Sequence, residues 1–582
     1  MRSVAAKFNS SRRALVLGGA AATGLAAVGC CAVPTPPKLT GACSPRPSPF
    51  LAGPEVEAAW ARHERYFDAH THFFNAQDVP VAGFLSKSVA HSVPSALLRE
   101  LILALAPIAE ALAKLAPTPG QEHEELCVLA GTKSLSLRDD NEKLDAEIDK
   151  RRDSVADELY REILRRGDQI PTLINVATSA ANSHGPNALR SQTSSFSQDF
   201  VREALRDGGS VRESLSDKLK TQRASELTAE EAQVELMRGA FQFVGFMLSP
   251  RHHNLRTYIR RNAEHSQSLP LSGCFAAMVD FNYWLDSPAK ASHMEDQVRV
   301  HEQLALLSRG FLMPLVSYNP WVDIQENDAS IKLVERAVKY QGCVGVKIYP
   351  PMGFYPYDNA GIPLHSREKR PDLVALDKKL AAFYELCDEL GVPVMAHANE
   401  SNGRDVAHDA LAGAVGWIAL RDKLPTLRSL YVNAGHFGGA PKHDSGDWSD
   451  DFVKLMSQKG HLQVYADLGY WDELLDNPVV RTKLENALST ALETGGTVAD
   501  RIMYGSDWLM LSKEPAWEYY AGGVANIIRG MDSTGVLAAK ILGENALCCY
   551  GLEMVTGRNL ARLVKYHADN GTAGSPGWLV SA

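Results

Sequence analysis

The sequence predicts an α/β protein whose main domain is a (β/α)8 barrel with a large, mainly helical insertion between strands 1 and 2. Three observations predict this fold. Eight short apolar segments have the composition of buried parallel strands. Seven of them are followed by a helical pattern, as in a barrel. About 200 residues separate the first segment from the second, far more than an ordinary connection needs.

One predicted strand lies near the start of the chain, and seven follow at close intervals after Pro270. The eight segments are Tyr66–His70, Cys274–Phe281, Phe311–Ser317, Val344–Tyr349, Pro393–His397, Leu430–His436, Leu462–Asp467 and Ile502–Asp507. This spacing predicts a barrel over residues 63–72 and 271–560, an insertion over 73–270 and a C-terminal tail over 561–582.

The insertion has helical rather than strand periodicity. Ser92–Leu115 is rich in Leu and Ala, Leu137–Arg166 has one apolar stripe, and a capping-box pattern at Thr228 starts a third helix that ends before Pro250. Because the insertion begins directly after His72, we expect it to overhang the barrel mouth as a cap. The alternative is a dimerisation or membrane-facing surface, and the oligomeric state stays open.

Composition excludes several classes of protein. The 582 residues are 45 % hydrophobic and 22 % charged, which excludes wholesale disorder. The net charge of −9 makes nucleic acid a poor partner. Only one long uncharged stretch is present, which excludes a multi-span membrane protein. The nine cysteines have no CxxC spacing and do not resemble a disulfide framework, so we expect most to be buried as small hydrophobic residues.

The N-terminus has the pattern of an export signal over residues 1–33, followed by a spacer over 34–62. Arg12 and Arg13 before an Ala/Gly-rich run resemble a twin-arginine signal, and Ala27–Cys30 resembles a lipoprotein cleavage box with Cys30 as the lipidated residue. A periplasmic enzyme, or one attached to a membrane through an N-terminal lipid, is expected. The alternative is an ordinary N-terminal membrane anchor.

Histidine and aspartate close four of the predicted strands. His70 and His72 are two positions apart, so they point to the same side of strand 1 and can hold one metal ion. Strands 5, 6 and 8 end in His397, His436 and Asp507. Strand ends of a barrel converge on one rim, so we expect these residues to meet there. Because His436 falls on the same face as the apolar residues of strand 6, that strand must twist or end before it.

The ordered motifs resemble the amidohydrolase-related family of the amidohydrolase superfamily, which includes aminocarboxymuconate-semialdehyde decarboxylase-like enzymes. They are Phe67–His72, Gly345–Pro350, Gly391–His397, Asn433–His436 and Met503–Trp508. The resemblance implies one divalent metal ion, zinc in the first instance, held by His70, His72, His397 and Asp507. It further implies that Asp507 acts as the general base toward water and that His436 polarises or protonates the substrate.

This resemblance leaves the reaction open. Hydrolysis of a carbon–oxygen or carbon–nitrogen bond in a small organic molecule is expected. The alternatives are non-oxidative decarboxylation and a non-catalytic surface-binding barrel. Lys347 is expected to bind substrate, with a carbamylated lysine bridging two metals as the alternative. Asn399, Glu400, Asp467, Tyr470 and Trp471 follow strand ends and are candidates for lining the pocket, of which Asn399, Glu400 and Tyr470 are predicted to bind substrate. The adjacent pair His252 and His253 is interpreted as non-ligating.

Overall fold

The structure is a computed structural model. It describes residues 51–90, 96–131, 137–166, 201–202, 204–205, 229–284, 292–362, 372–400, 403–439, 448–458, 460–476, 478–494, 498–514, 517–553, 557–571 and 576–580. The predicted export signal, the lipidation residue Cys30 and the first part of the spacer lie outside these residues.

Eight parallel strands form one sheet in which each strand pairs with the next along the chain. They are β1 (Tyr66–Thr71), β2 (Leu271–Ala277), β3 (Leu312–Ser317), β4 (Gly345–Ile348), β5 (Val394–His397), β6 (Leu430–Gly435), β7 (Leu462–Asp467) and β8 (Ile502–Met503). The amide of Ala69 donates to the carbonyl of Tyr504 at 2.9 Å, which ties the β8 chain to β1. The fold is therefore the predicted (β/α)8 barrel.

The described part of the insertion between β1 and β2 consists of helices. They are α2 (Val81–Gly83), which continues as a π-helical turn over Phe84–Val89, α3 (Ala96–Leu112), α4 (Pro119–Gly131), α5 (Leu137–Arg165), α6 (Ala229–Met247) and α7 (Arg251–His265). A short α1 (Pro54–Trp60) precedes β1. Among the described residues no single helix is long and apolar enough to cross a bilayer. One bent pair of helices, Ile102–Leu115 with Pro119–Ala130, is long and apolar enough when the two are taken together, by length and composition only.

Helices follow each later strand. They are α8 (Met294–Leu307), α9 (Pro320–Gln325), α10 (Ala329–Tyr340), α11 (Leu373–Leu390), α12 (Val406–Asp409), α13 (Val415–Lys423), α14 (Trp448–Met456), α15 (Glu473–Asp476), α16 (Pro478–Thr494), α17 (Tyr520–Met531), α18 (Val536–Ala539), α19 (Asn545–Tyr550), α20 (Leu560–Asp569) and α21 (Gly577–Val580).

Helix α11 illustrates why these segments are helical. The Asp372 carboxylate caps its first turn by accepting the amides of Val374 and Ala375. Gly391 ends the helix in the left-handed region (φ 65°), where glycine carries no steric cost. The chain then enters β5 directly.

The largest departures from the predicted strand bounds are in β2 and β8. β2 begins at Leu271 and ends at Ala277, four residues before the predicted end. β8 covers only Ile502 and Met503, because the chain leaves the regular ladder as it approaches Asp507, which has a left-handed backbone (φ 57°). β6 ends at Gly435, so the expectation that this strand stops before His436 is confirmed.

A buried ion-pair cluster joins the insertion to the start of the barrel. The Arg251 guanidinium, at the start of α7, pairs with the carboxylates of Asp78 and Glu122, and all three side chains are buried. The hydroxyl of Ser292 donates to Asp78 at 2.6 Å. Charges this deep need partners on all sides, so the cluster fixes how α4 and α7 sit against the segment after β1.

Five cysteines in the described residues are free thiols, and four of these are buried as expected: Cys274, Cys343, Cys387 and Cys549. Cys127 on α4 is disulfide-bonded and departs from that expectation.

Candidate metal centre

Three buried side chains from β1 and the chain after β8 converge at the carboxyl end of the barrel. The Nε2 atoms of His70 and His72 are 3.1 Å apart. The Oδ1 atom of Asp507 is 3.5 Å from the first of these and 3.3 Å from the second. One strand supplies both imidazoles because residues two apart share a side. The three atoms form a cluster that could hold a metal ion.

The donor set fits a small divalent ion. Bonds of 2.0–2.1 Å to a tetrahedral zinc ion place neighbouring donor atoms about 3.3 Å apart. The observed separations of 3.1, 3.3 and 3.5 Å lie around that value. Neutral imidazole and carboxylate are also ligand types that zinc prefers.

Hydrogen bonds on the far side of each imidazole set its tautomer. Nδ1 of His72 donates to the carbonyl of Ala277 at 2.7 Å, and Nδ1 of His70 donates to the carboxylate of Asp467 at 3.0 Å. Both Nε2 atoms are thereby left with a lone pair facing the cluster. Burial, reinforced by the nearby Lys347 charge, holds the pKa of His70 well below its usual value and so favours the neutral ligand form.

Asp467 is the centre of this support. It ends β7, is fully buried, and accepts the amides of His436 (3.1 Å) and Gly469 (2.9 Å) in addition to the His70 imidazole. Its second oxygen accepts the side-chain amide of Asn433 at 2.8 Å. Sequence reasoning placed Asp467 only among residues lining the pocket. Its position at the end of a strand was the sequence signal that places it near the site. Its hydrogen bond with the predicted ligand His70 could be recognised only in the tertiary structure.

The backbone around Asp507 aims its carboxylate at the cluster. Its amide donates to the carbonyl of His70 at 2.7 Å, and its left-handed conformation turns the chain out of β8. Burial raises the pKa of Asp507, but the neighbouring imidazoles of His436, His70 and His72 outweigh it and hold the pKa well below its usual range. The carboxylate is therefore ionised, as a ligand or a base must be.

His436 and His397 lie beside the cluster and contact each other. Nε2 of His436 is 3.0 Å from Nδ1 of His397, and the other nitrogen of His436 donates to the carbonyl of Gly469 at 2.9 Å. The ring of His436 lies 4.6 Å from that of His70, centroid to centroid. His436 has φ 72°, a strained backbone that turns its side chain off the apolar face of β6. Burial lowers its pKa, so the neutral imidazole is favoured at neutral pH.

His397 is not one of the three clustered donors. It ends β5, stacks on Tyr349 with ring centroids 4.6 Å apart, and reaches the cluster side of the pocket through His436. The structure therefore brings three of the four predicted ligands together. The fourth, His397, is separated from them by the imidazole ring of His436.

Lys347 lies within the centre rather than at its edge. Its Nζ atom is 3.3 Å from Nε2 of His70, and the side chain is fully buried. Burial lowers the pKa of this ammonium to about 8, despite the opposing effect of the carboxylates of Asp467 and Asp507.

A pocket opens above the cluster. His72, His397, His436 and Asp507 form its polar floor. The wall is mainly aromatic and apolar and consists of Phe73, Phe74, Phe84, Ala277, Met278, Val279, Phe281, Tyr349 and Met510, with Gln297 and Asp78 as further polar groups. Four of these residues, Phe73, Phe74, Asp78 and Phe84, come from the start of the insertion. No lysine or arginine belongs to the lining among the described residues.

The other predicted pocket residues lie farther out. The Tyr470 hydroxyl donates to Glu514 and accepts from Lys513, so it belongs to a cluster beside the pocket. Asn399 is half-buried against Gly439, and Glu400 is exposed. His252 and His253 lie on α7, away from the three-donor cluster.

Comparison with known proteins agrees with this architecture. The family model described as amidohydrolase matches residues 313–552, which contain Lys347, His397, His436 and Asp507. No curated protein matches the chain significantly.

Two solved structures are similar to part of the chain. One is a probable 2-pyrone-4,6-dicarboxylic acid hydrolase from Acinetobacter baumannii with citric acid bound (16% identity, TM-score 0.33, covering 51% of this chain and 88% of that one). The other is an uncharacterised TIM-barrel protein from Bordetella bronchiseptica (14% identity, TM-score 0.32, covering 50% and 82%). Residues 313–552 therefore match the amidohydrolase family, and the eight-stranded barrel agrees with that match.

Proposed function

We propose that the chain is a metal-dependent hydrolase that cleaves a carbon–oxygen or carbon–nitrogen bond in a small organic substrate. The observation that carries the proposal is the spacing of the three donor atoms of His70, His72 and Asp507, which fits the edges of a zinc tetrahedron. His397 completes the proposed ligand set by a change of side-chain rotamer.

A divalent ion at this position would lower the pKa of bound water toward neutrality. The protein supplies the remaining chemistry. Asp507, ionised and buried, is placed to take a proton from water. His436, whose Nδ1 donates to the Gly469 carbonyl, faces the pocket and, once protonated at Nε2, can donate to the oxygen of the scissile bond. The aromatic wall excludes water from the reacting groups.

The pocket lining limits the substrate. Its aromatic and Met side chains favour an apolar body. Among its described lining residues there is no lysine or arginine for a second carboxylate, and the buried Lys347 ammonium contacts Nε2 of His70 instead. Asp78 does not add a free charge, because its oxygens already accept from Arg251 and Ser292. We infer a substrate with one reacting group on a largely uncharged body.

Decarboxylation would use the same residues, so the test must separate products. Purified protein is assayed for zinc content, then offered aromatic esters, lactones, amides and carboxylates while carbon dioxide and carboxylate products are measured. The Asp507→Asn variant should lose turnover by about 1,000-fold or more while retaining part of the metal, because an amide keeps an oxygen ligand but cannot accept the proton.

The matched control is Asp323→Asn, which changes an equally buried carboxylate on α9 outside the pocket. It should retain turnover. Wild-type protein without bound metal, or Asp507→Asn with normal turnover, would contradict the hydrolase proposal, and carbon dioxide as the product would establish the decarboxylase alternative. Two metals per chain would favour a carbamylated Lys347 over a substrate-binding one.

We also propose that the enzyme is exported and carries a lipid on Cys30, on the strength of the N-terminal pattern alone. Replacing Arg12 and Arg13 by lysine should leave precursor inside the cell. Cys30→Ala should abolish labelling by radioactive palmitate, and labelling that persists in this variant would contradict lipidation.

A further inference from the structure

We propose that the insertion supplies a positioning residue for the metal centre, Tyr258 on α7, which acts through Asp68. This inference rests on the proposed metal-dependent function. It gives the insertion a role that neither a lid nor a surface for assembly would require.

The hydroxyl of Tyr258 donates to Oδ2 of Asp68 at 2.6 Å. Asp68 lies in β1 two residues before His70, and both side chains of the pair are buried. The other oxygen of Asp68 accepts two backbone amides, those of His70 and Ser506, each at 3.0 Å. One carboxylate therefore joins the backbone of a proposed ligand, His70, to the residue immediately before another, Asp507.

The described hydrogen bonds of Asp68 include none from a lysine or arginine, and they come from the side chains of Tyr258 and Ser506 and from the two amides. Removing the Tyr258 hydroxyl takes away the hydrogen bond that it donates to Oδ2, and the loss of a hydrogen bond at a buried oxygen costs free energy. The carboxylate then gains by reorienting toward another donor, and reorientation loosens its hold on the amides of His70 and Ser506. The expected consequence is a displaced ligand rather than an unfolded protein.

The ring of Tyr258 acts on the same two segments. It lies 5.2 Å from the ring of Trp508 and 5.9 Å from that of Phe73, centroid to centroid. Trp508 directly follows Asp507, and Phe73 directly follows His72. The hydroxyl of Tyr258 and its ring therefore reach the chain on both sides of the proposed site, although the residue lies about 190 positions from Asp68.

The test compares zinc affinities of full-length wild type and Tyr258→Phe by competition with a chelator. Tyr258→Phe keeps the ring contacts and removes only the hydroxyl, and we expect zinc affinity to fall by about 10-fold, the usual effect of losing an outer partner of a ligand. The matched control is Tyr384→Phe on α11, where an equally buried hydroxyl donates to the carbonyl of Pro356 at 2.8 Å far from the site. It should have wild-type zinc affinity.

A double-mutant cycle shows whether Tyr258 acts through Asp68. Adding Tyr258→Phe to an Asp68→Asn background should change zinc affinity little further, because the acceptor that the hydroxyl served is already altered. Asp68→Asn alone should weaken zinc binding, and it provides the measurement if Tyr258→Phe fails to fold.

The outcomes separate the two proposals. Zinc-binding wild type together with unchanged affinity in Tyr258→Phe, or equal losses in Tyr258→Phe and Tyr384→Phe, would overturn the positioning role and leave the metal centre standing. Additive losses in the cycle would also overturn it. Wild-type protein that binds no zinc would overturn the proposed function itself, and the positioning role with it.

Discussion

The two ends of the insertion meet the metal centre from different sides. The first end, residues 73–89, places Phe73, Phe74 and Phe84 in the pocket wall, where a substrate would lie. The second end, helices α6 and α7, packs behind the centre. There Phe246 and Tyr258 lie 5.3 and 5.2 Å from the Trp508 ring. The first end lines the pocket, and the second end packs against the segment that carries Asp507.

This difference indicates that the two ends of one insertion can have different roles. Side chains at the first end border open space, so their substitution should alter substrate binding. Side chains at the second end are enclosed by the barrel's own segments, so their substitution should alter stability and metal binding. Experimentally, substitutions at the first end should change KM, and substitutions at the second end should change metal affinity.

The largest effect is expected for Trp508→Ala. This fully buried ring contacts Phe73, Phe246, Tyr258 and Trp517. Its truncation should lower the free energy of unfolding by about 3–5 kcal/mol, measured by denaturant titration, and weaken zinc binding as well. Trp417→Ala, at an equally buried ring on α13, should cost similar stability but keep zinc affinity. Equal zinc affinities in the two variants would contradict the role of the second end in metal binding.

The next effect is expected for Gly239→Ala on α6. A Cβ at this position would clash with the carbonyl oxygen of Lys513, in the segment after Asp507, so the helix and that segment must separate. The free energy of unfolding should fall by about 1–3 kcal/mol. Gly530→Ala is the control, because its Cβ would meet no neighbour within 4 Å and alanine favours a helix. Thermal unfolding that ranks Gly239→Ala as stable as the control would refute this close approach.

A smaller and different effect is expected for Phe84→Ala at the first end. Phe84 packs against Phe74 and Phe281 at centroid distances of 5.8 and 5.7 Å. KM for an aromatic substrate should rise by about 10-fold, the contribution of an aromatic contact, while zinc affinity stays constant. Leu103→Ala, at a 44% exposed position on α3, should change neither quantity. A loss of zinc affinity in Phe84→Ala would show that the first end also supports metal binding and would contradict the proposed difference between the two ends.

The smallest effect concerns pH and the second end. Burial, assisted by the Arg151 charge, lowers the pKa of His252 to about 3, so the folded chain keeps this residue neutral. The unfolded chain binds a proton below about pH 6.5, so the contribution to stability is present above that pH and is lost as pH falls toward 3. Between pH 7 and pH 5.5 the loss is about 1 kcal/mol.

His252→Asn should therefore have a flatter dependence of thermal stability on pH over this interval than wild type. His63→Asn, at an exposed position, should follow the wild-type curve. Parallel curves for His252→Asn and wild type would show that this histidine does not set the acid sensitivity of the helices behind the centre.

Local sequence determined the barrel and the composition of its rim. Apolar segments of five to eight residues, alternating with helical patterns, predict buried strands, and parallel strands bring their carboxyl ends together. His70, His72, His436 and Asp507 could therefore be placed on one rim from their positions alone. The two-residue period of a strand also required β6 to twist or to end before His436, and it ends at Gly435.

Only the tertiary structure decided which rim residues touch and what supports them. His397 ends its strand as predicted but contacts His436 rather than the three-donor cluster, because ring orientation depends on neighbours such as Tyr349. The hydrogen bonds from His70 to Asp467 and from Tyr258 to Asp68 join residues 397 and 190 positions apart. Strand periodicity propagates only along a strand, whereas these contacts depend on how helices and loops pack against the barrel, and no local pattern encodes that packing.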